Sequence, residues 1–253
     1  MHELRGVQIR LERASEHIDA LRHEARMFMM AEPQAYGMRT DDKPLESGEY
    51  IIRAKVFRPP PPRMGIIAAD AAHNLRASLD MIAWQLPKKI GAPAPDDDTQ
   101  TAFPICSHED TWESRAAKRM VKWIDDGATA IIEALQPYKR PVPECYKLQV
   151  VQSIDNWAKH KAIPSVLTFH VSRMTIISNH QVTSAAIGAF DDGDELCRVR
   201  PLGDRKESFK ANLMCHVGLA KEAPGYGLPL EALGDSYEYI RDTVLPAFKE
   251  FFE

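Results

Sequence analysis

Residues 65–86, GIIAADAAHNLRASLDMIAWQL, set Asp70, His73, Asn74, Arg76 and Asp80 within an alanine- and leucine-rich run. At about 100° per residue, Ala68, Ala71, Ala72, Leu75, Leu79, Ile82 and Leu86 form one apolar stripe, which predicts a helix over 64–86 with that side in a core. Asp70, His73, Asn74 and Asp80 lie opposite, where an amphipathic helix ordinarily meets water. Met81 and Trp84 share that second side, so it too is expected to pack against protein. Polar groups held there need partners or cost several kcal/mol, which makes them members of a hydrogen-bond network or of a site.

The rest of the chain builds a frame around this helix. Leu4, Val7, Leu11, Ala14, Ile18, Leu21, Ala25 and Phe28 alternate at spacings of three and four, predicting an amphipathic helix over 3–31 that stops near Pro33. Residues 36–47 are polar and read as a connection, and EYIIRAKVFR (49–58) has the β-branched and aromatic character of a strand. Pro59 to Pro62 then form a stiff link into the central helix. Residues 91–110 are a loop by their Pro, Asp and Gly content, with Ser107 or Asp110 placed to cap the next helix. Helices are predicted over 110–123, 127–136 and 144–161.

Beyond Pro164 the texture changes. Residues 165–178, 181–190, 195–202 and 208–220 are rich in Val, Ile, Thr and Phe, with turn-type DDGD and LGDRKE between them, and read as an antiparallel meander. A last helix over 228–252 carries Pro246 as a kink. The predicted class is α+β: a helical core over 1–164 with one inserted strand, and a small antiparallel sheet plus a terminal helix over 165–253, packed as one unit with the core.

Composition narrows the function classes. The 253 residues are 44% hydrophobic and 27% charged, enough apolar surface for a globular core. A formal charge of −4 supplies no global attraction to nucleic acid. Cys106, Cys145, Cys197 and Cys215 are far apart with no C-x-x-C pair, which argues against a zinc ribbon and fits a reducing cytoplasm. No run of 18 apolar residues occurs and the start has no apolar signal core, so neither a membrane span nor secretion is expected. The nine histidines are dispersed, and no H-E-x-x-H or Gly-rich phosphate loop appears, so neither a metal nor a cofactor is expected.

A second polar stripe runs along the helix at 144–161. Gln149, Ser153, Asn156 and His160 share one face, Val150, Val151, Ile154, Trp157 and Ala158 cover the other, and the cations at 159–161 suit the negative end of the helix dipole. If the two stripes face each other, Arg76, Asp80, His73 and His160 are candidate catalytic residues, and Asp70, Asn74, Asn156 and Lys159 candidate binding residues. A histidine near a carboxylate and an arginine suits acid/base chemistry beside an anion. The same residues equally describe a buried network joining two helices. Arg76 precedes Asp80 by four, the order that helps an isolated helix less, so the arginine is expected to serve a further partner. The Met81 and Trp84 pair beside polar groups is the mixture enriched in interface cores, and predicts a homodimer through that face.

DAAHNLRASLDMIAWQL, with TAFPI (101–105), LQPY (135–138) and DNWAKHK (155–161), resembles an uncharacterised family of bacterial and phage-associated proteins whose hallmark helix reads H-N-L-R-x-x-L-D-H, over most of residues 60–165. More remotely, the Arg-x4-His pattern inside that hallmark is similar to the signature of HEPN proteins, helical bundles that often dimerise and cleave RNA without metal. The resemblance implies a HEPN-like bundle and a partner that is RNA or protein. Here Met81 stands five positions after Arg76, and a thioether transfers no proton, so His73 or His160 would have to replace the family histidine. Two functions are therefore expected. One is a non-enzymatic binding or assembly module, favoured by Met81 and the net charge. The other is a metal-independent ribonuclease or toxin-like factor, with Arg76 on the phosphate, a histidine as acid/base, Asp80 orienting it and Asn74 fixing the backbone.

Overall fold

A computed structural model describes residues 4–94, 98–142, 144–160, 167–186, 188–202, 209–219 and 230–252. Helix α1 (Arg5–Met30) buries Val7, Leu11, Ala14, Ile18, Leu21 and Phe28, following the predicted spacing. Helix α2 (Pro62–Gln85) buries the whole apolar stripe expected of it. It begins two residues earlier than predicted because Pro62 suits a first helical position, where its fixed φ is already helical and its missing N–H has no intrahelical partner to lose. The rigid link is therefore Pro59 to Pro61.

The single helix expected over 110–123 is two, α3 (Glu109–Trp112) and α4 (Arg115–Val121). The break falls at Ser114, whose backbone is extended and whose Oγ accepts the Ala117 N–H at 3.2 Å, capping α4. Neither Ser107 nor Asp110 caps α3; His108 holds that position without a side-chain bond. Asp125 caps α5 (Asp126–Ala134) by accepting from the Gly127 and Ala128 N–H groups, and a 3-10 turn at Pro137–Lys139 leads to α6 (Glu144–His160). Helix α7 (Glu231–Tyr239) is tied to α6 by Ser236 Oγ, 2.7 Å from the Lys147 carbonyl. It runs through a π-helical turn, Ile240–Val244, into α8 (Leu245–Ala247). The expected kink at Pro246 takes this form, a widened turn just before a residue that cannot complete the α pattern.

The seven strands of the described residues form two antiparallel sheets rather than one meander. They are β1 (Tyr36–Thr40), β2 (Tyr50–Val56), β3 (Leu167–Ile176), β4 (His180–Ala185), β5 (Gly188–Phe190), β6 (Glu195–Pro201) and β7 (Ala211–Leu219), ordered β1-β2-β6-β4 and β5-β3-β7. Strand β1 occupies a stretch predicted to be a connection. Its pairing with β2, Tyr36 opposite Val56 through Thr40 opposite Ile52, supplies what five residues lack on their own. The strand expected as an insertion in the helical core, β2, pairs on its other edge with β6, and Ile52, Cys197 and Val199 form that sheet's core. The Tyr36 and Phe169 rings stack at 4.1 Å and 15°, joining the two sheets.

Two compact units result. One comprises Met1–Leu21, Ile66–Ala162 and Glu231–Glu253; the other comprises Arg22–Gly65 and Ile163–Leu230 and holds every strand of the described residues. No described helix is long and apolar enough to cross a membrane. Ile52 is fully buried at the centre of its sheet, so Ile52→Ala is expected to cost about 2–5 kcal/mol. The exposed Gln181→Ala is expected to change stability by less than about 0.5 kcal/mol. Urea unfolding of the two variants measures the contrast.

Candidate functional site

Of the polar residues of the central motif on α2, His73, Asn74, Arg76 and Asp80 have defined side-chain partners, all within the first unit. Arg76 Nε donates to Asp80 Oδ2 at 3.1 Å and Arg76 Nη2 to Asp80 Oδ1 at 2.6 Å, while Nη2 also donates to the Phe103 carbonyl at 2.7 Å. Asp80 Oδ1 in turn accepts the Phe103 N–H at 3.0 Å. The arginine is thus shared as expected, and the further partner is the backbone of the TAFPI segment. From the other side, the fully buried Gln136 donates to the Pro104 and Ile132 carbonyls, both at 2.9 Å, and accepts the Cys106 N–H at 2.8 Å. Gln136 belongs to the LQPY stretch, so two pieces of the sequence pattern grip a third.

His73 and Asn74 look to other helices. His73 Nδ1 lies 3.1 Å from Asp155 Oδ1 on α6, and Lys159 Nζ donates to Asp155 Oδ2 at 2.6 Å. Asp155 is buried, with its side chain only 4% exposed, whereas His73 is 54% exposed. Helices α2 and α6 are therefore joined, as a shared polar wall requires. Asn74 does not contribute to that wall: its Oδ1 accepts from Arg10 Nη1 of α1 at 3.1 Å and its Nδ2 donates to the Asp70 carbonyl. The Asp70 side chain is exposed and takes no place in the wall. The His160 side chain lies outside the described residues.

Between α2, the 104–106 segment, α4 and α6 lies a half-open cleft of about 390 Å³. Arg76 and Asp80 line it with Asp155, Asn156 and Lys159, and Pro104, Ile105, Ala117 and Met120 supply apolar wall. The face of α6 turned to the cleft is Gln152, Asp155, Asn156 and Lys159, rotated from the Gln149, Ser153, Asn156 and His160 stripe read from spacing. Asp155 is the residue that the spacing misses. Its signal in the sequence is Asp155 four before Lys159, the favourable order for an i,i+4 pair, set between Ile154 and Trp157 where a carboxylate needs a partner.

Of the two residues expected at a dimer face, Met81 packs within the chain, its methyl over Gly6 of α1 in the space a Cβ there would fill. Of the pair, Trp84 alone is exposed, at 37%, with Lys88 Nζ 5.5 Å from its ring centroid. Among the described residues no group of three His, Cys, Asp or Glu side chains gathers to hold a metal.

Two ionisable groups along the segment are perturbed. Burial pushes the Cys106 thiol up, against a smaller pull from Lys118, so it is a poor nucleophile at neutral pH. Burial disfavours the Asp98 carboxylate, but bonds from the Thr101 hydroxyl, the Thr101 and Gln100 N–H groups, and the Lys88 charge outweigh it and hold Asp98 below the usual carboxylate range. A depressed carboxyl contributes stability above its unfolded value, about 3.9, and loses it as pH falls through the folded value. Asp98→Asn is therefore expected to lower stability at neutral pH and to flatten the acid limb of a stability-versus-pH curve, measured by thermal melts from pH 7 to 2.

Arg76 is 14% exposed and makes three charge-assisted bonds, so Arg76→Ala is expected to cost about 2–4 kcal/mol. Arg76→Lys restores only part of this, because an ammonium cannot form the two-pronged contact. Asp80→Asn falls in parallel with Arg76→Ala in the same thermal melts, and a melt of Arg76→Ala within a degree or two of wild type would contradict the arrangement. Set against known protein families, curated proteins and solved structures, the chain matches none, and the reading of the cleft rests on its own geometry.

Proposed function

We propose that the protein is a non-enzymatic binding module whose site is the cleft between α2, α4 and α6. What supports this reading above all is the employment of the motif residues: Arg76 and Asp80 hold the Phe103 peptide, Asn74 holds Arg10, and His73 meets Asp155. The position where a HEPN nuclease carries its histidine is Met81, packed on Gly6. The lining of the cleft balances Arg76 and Lys159 against Asp80 and Asp155, which gives no excess positive charge for a phosphodiester chain. Its volume falls within the range of small-molecule pockets.

The ribonuclease reading keeps one supporting observation, the half-exposed His73 aligned by a buried carboxylate, the geometry of an oriented general base. Incubating the purified protein with mixed RNA and EDTA separates the two. Intact RNA is expected; cleavage that disappears in His73→Ala would overturn the binding-module proposal in favour of the nuclease.

A further inference from the structure

We infer that the cleft takes a small organic monocarboxylate, its head group held by Arg76 and Lys159 and its apolar body laid along Pro104, Ile105 and Met120. The inference rests on the binding reading above and adds the class of ligand.

Donors on the cleft wall outnumber the acceptors that meet them. A guanidinium has five N–H groups. In Arg76 the Nε–H goes to Asp80 Oδ2, and the two on Nη2 go to Asp80 Oδ1 and the Phe103 carbonyl. The two on Nη1 meet no acceptor among the described residues, and because Nη1 is not one of the atoms closed off from solvent, they are open to a ligand on a side chain that stays charged. Lys159 gives one of its three N–H groups to Asp155, leaving two. The side-chain amides of Gln152 and Asn156 make no hydrogen bond among the described residues and offer donors and acceptors alike, so the surplus lies in Arg76, Lys159 and Ser114, whose Oγ accepts from Ala117 and keeps its own proton to donate.

The acceptors are better satisfied. Asp80 receives two bonds from Arg76 and one from the Phe103 N–H, and each oxygen of Asp155 faces a cationic or imidazole nitrogen. A wall with surplus donors calls for a ligand rich in acceptors, and an anion forms the stronger bonds to Arg and Lys. The charged lining sums to zero before a ligand arrives, so a single negative charge is accommodated more readily than the two of a phosphate monoester. The apolar part of the lining calls for a carbon body.

The test uses the full chain and three probes, benzoate, benzamide and inorganic phosphate, titrated by calorimetry. The charge-assisted contacts to Arg76 and Lys159 distinguish benzoate from its neutral isostere, so benzoate is expected to bind about ten- to a hundredfold more tightly than benzamide. Phosphate is expected to bind more weakly than benzoate. Two variants locate the binding. Lys159→Met removes a donor and weakens benzoate about tenfold; because it also leaves Asp155 short of a partner, Asn156→Trp is the second, filling the cleft from an exposed position with no ion pair to disturb. Asn156→Trp should abolish benzoate binding with the melting temperature unchanged.

Benzamide equal to benzoate, or phosphate tighter than both, would overturn the carboxylate class while leaving a binding cleft if Asn156→Trp removes that binding. Benzoate binding that survives Asn156→Trp puts the site elsewhere and overturns the proposal. Failure of all three probes at concentrations up to tens of millimolar overturns both the ligand class and the binding reading on which it stands.

Discussion

The first unit depends on one residue's peptide groups being held by two charges a helical turn apart. Phe103, Pro104, Ile105 and Cys106 are buried without belonging to any helix or strand. A buried irregular segment carries backbone N–H and C=O groups that no ladder satisfies, and each costs free energy if left alone. Asp80 takes the Phe103 N–H, Arg76 the Phe103 carbonyl, and Gln136 the Pro104 carbonyl and the Cys106 N–H. Three side chains thereby do for this segment what a neighbouring strand does in a sheet. The cleft exists because that segment is fixed: Pro104, Ile105 and Cys106 are one of its walls, and Arg76 and Asp80 are both its clamp and its lining.

What is legible in the sequence divides along the same physical line. The stripe on α2 and the apolar side of α1 can be read because a helix fixes its faces from local spacing alone. The i,i+4 contact of Arg76 with Asp80 is legible for the same reason. Phe103 as the third member is not, since nothing local joins positions 76 and 103. On α6 the spacing points to a face rotated from the true one, because Asn156 lies near the edge of both and the deciding contact, His73 to Asp155, spans 82 residues. Sheet order is hidden for a related reason. Strand β1 is five residues with a glycine at its second position, a weak signal alone, and β2 finds its second neighbour, β6, some 140 residues downstream. The split of the terminal sheet into two rests on pairings of that kind, which composition and alternation do not encode.

The two units are each assembled from separate stretches, three in one and two in the other. Two of their boundaries fall inside α1 and inside α2; the others fall at Ala162, after α6, and at Leu230, just before α7. A single cut anywhere in the chain leaves at least one unit incomplete, and the motif helix cannot be excised with its partners, since Arg10, Phe103, Gln136 and Asp155 arrive from four different places in the sequence. The change from helical to strand texture near Pro164 coincides with one of these boundaries, but the strand-bearing unit also needs Arg22–Gly65 from the front of the chain.

Position 81 is where packing and chemistry compete for one side chain. Met81 fills the hollow left by Gly6: one residue lacks a Cβ and the other supplies a flexible thioether whose methyl lies where that Cβ would be. An imidazole in that hollow would be rigid, would need partners for both nitrogens and would face the backbone of α1 instead of a substrate. A side chain at position 6 would first have to displace that flexible methyl, so the residues at 6 and 81 are tied together by one packing contact although they lie on different helices.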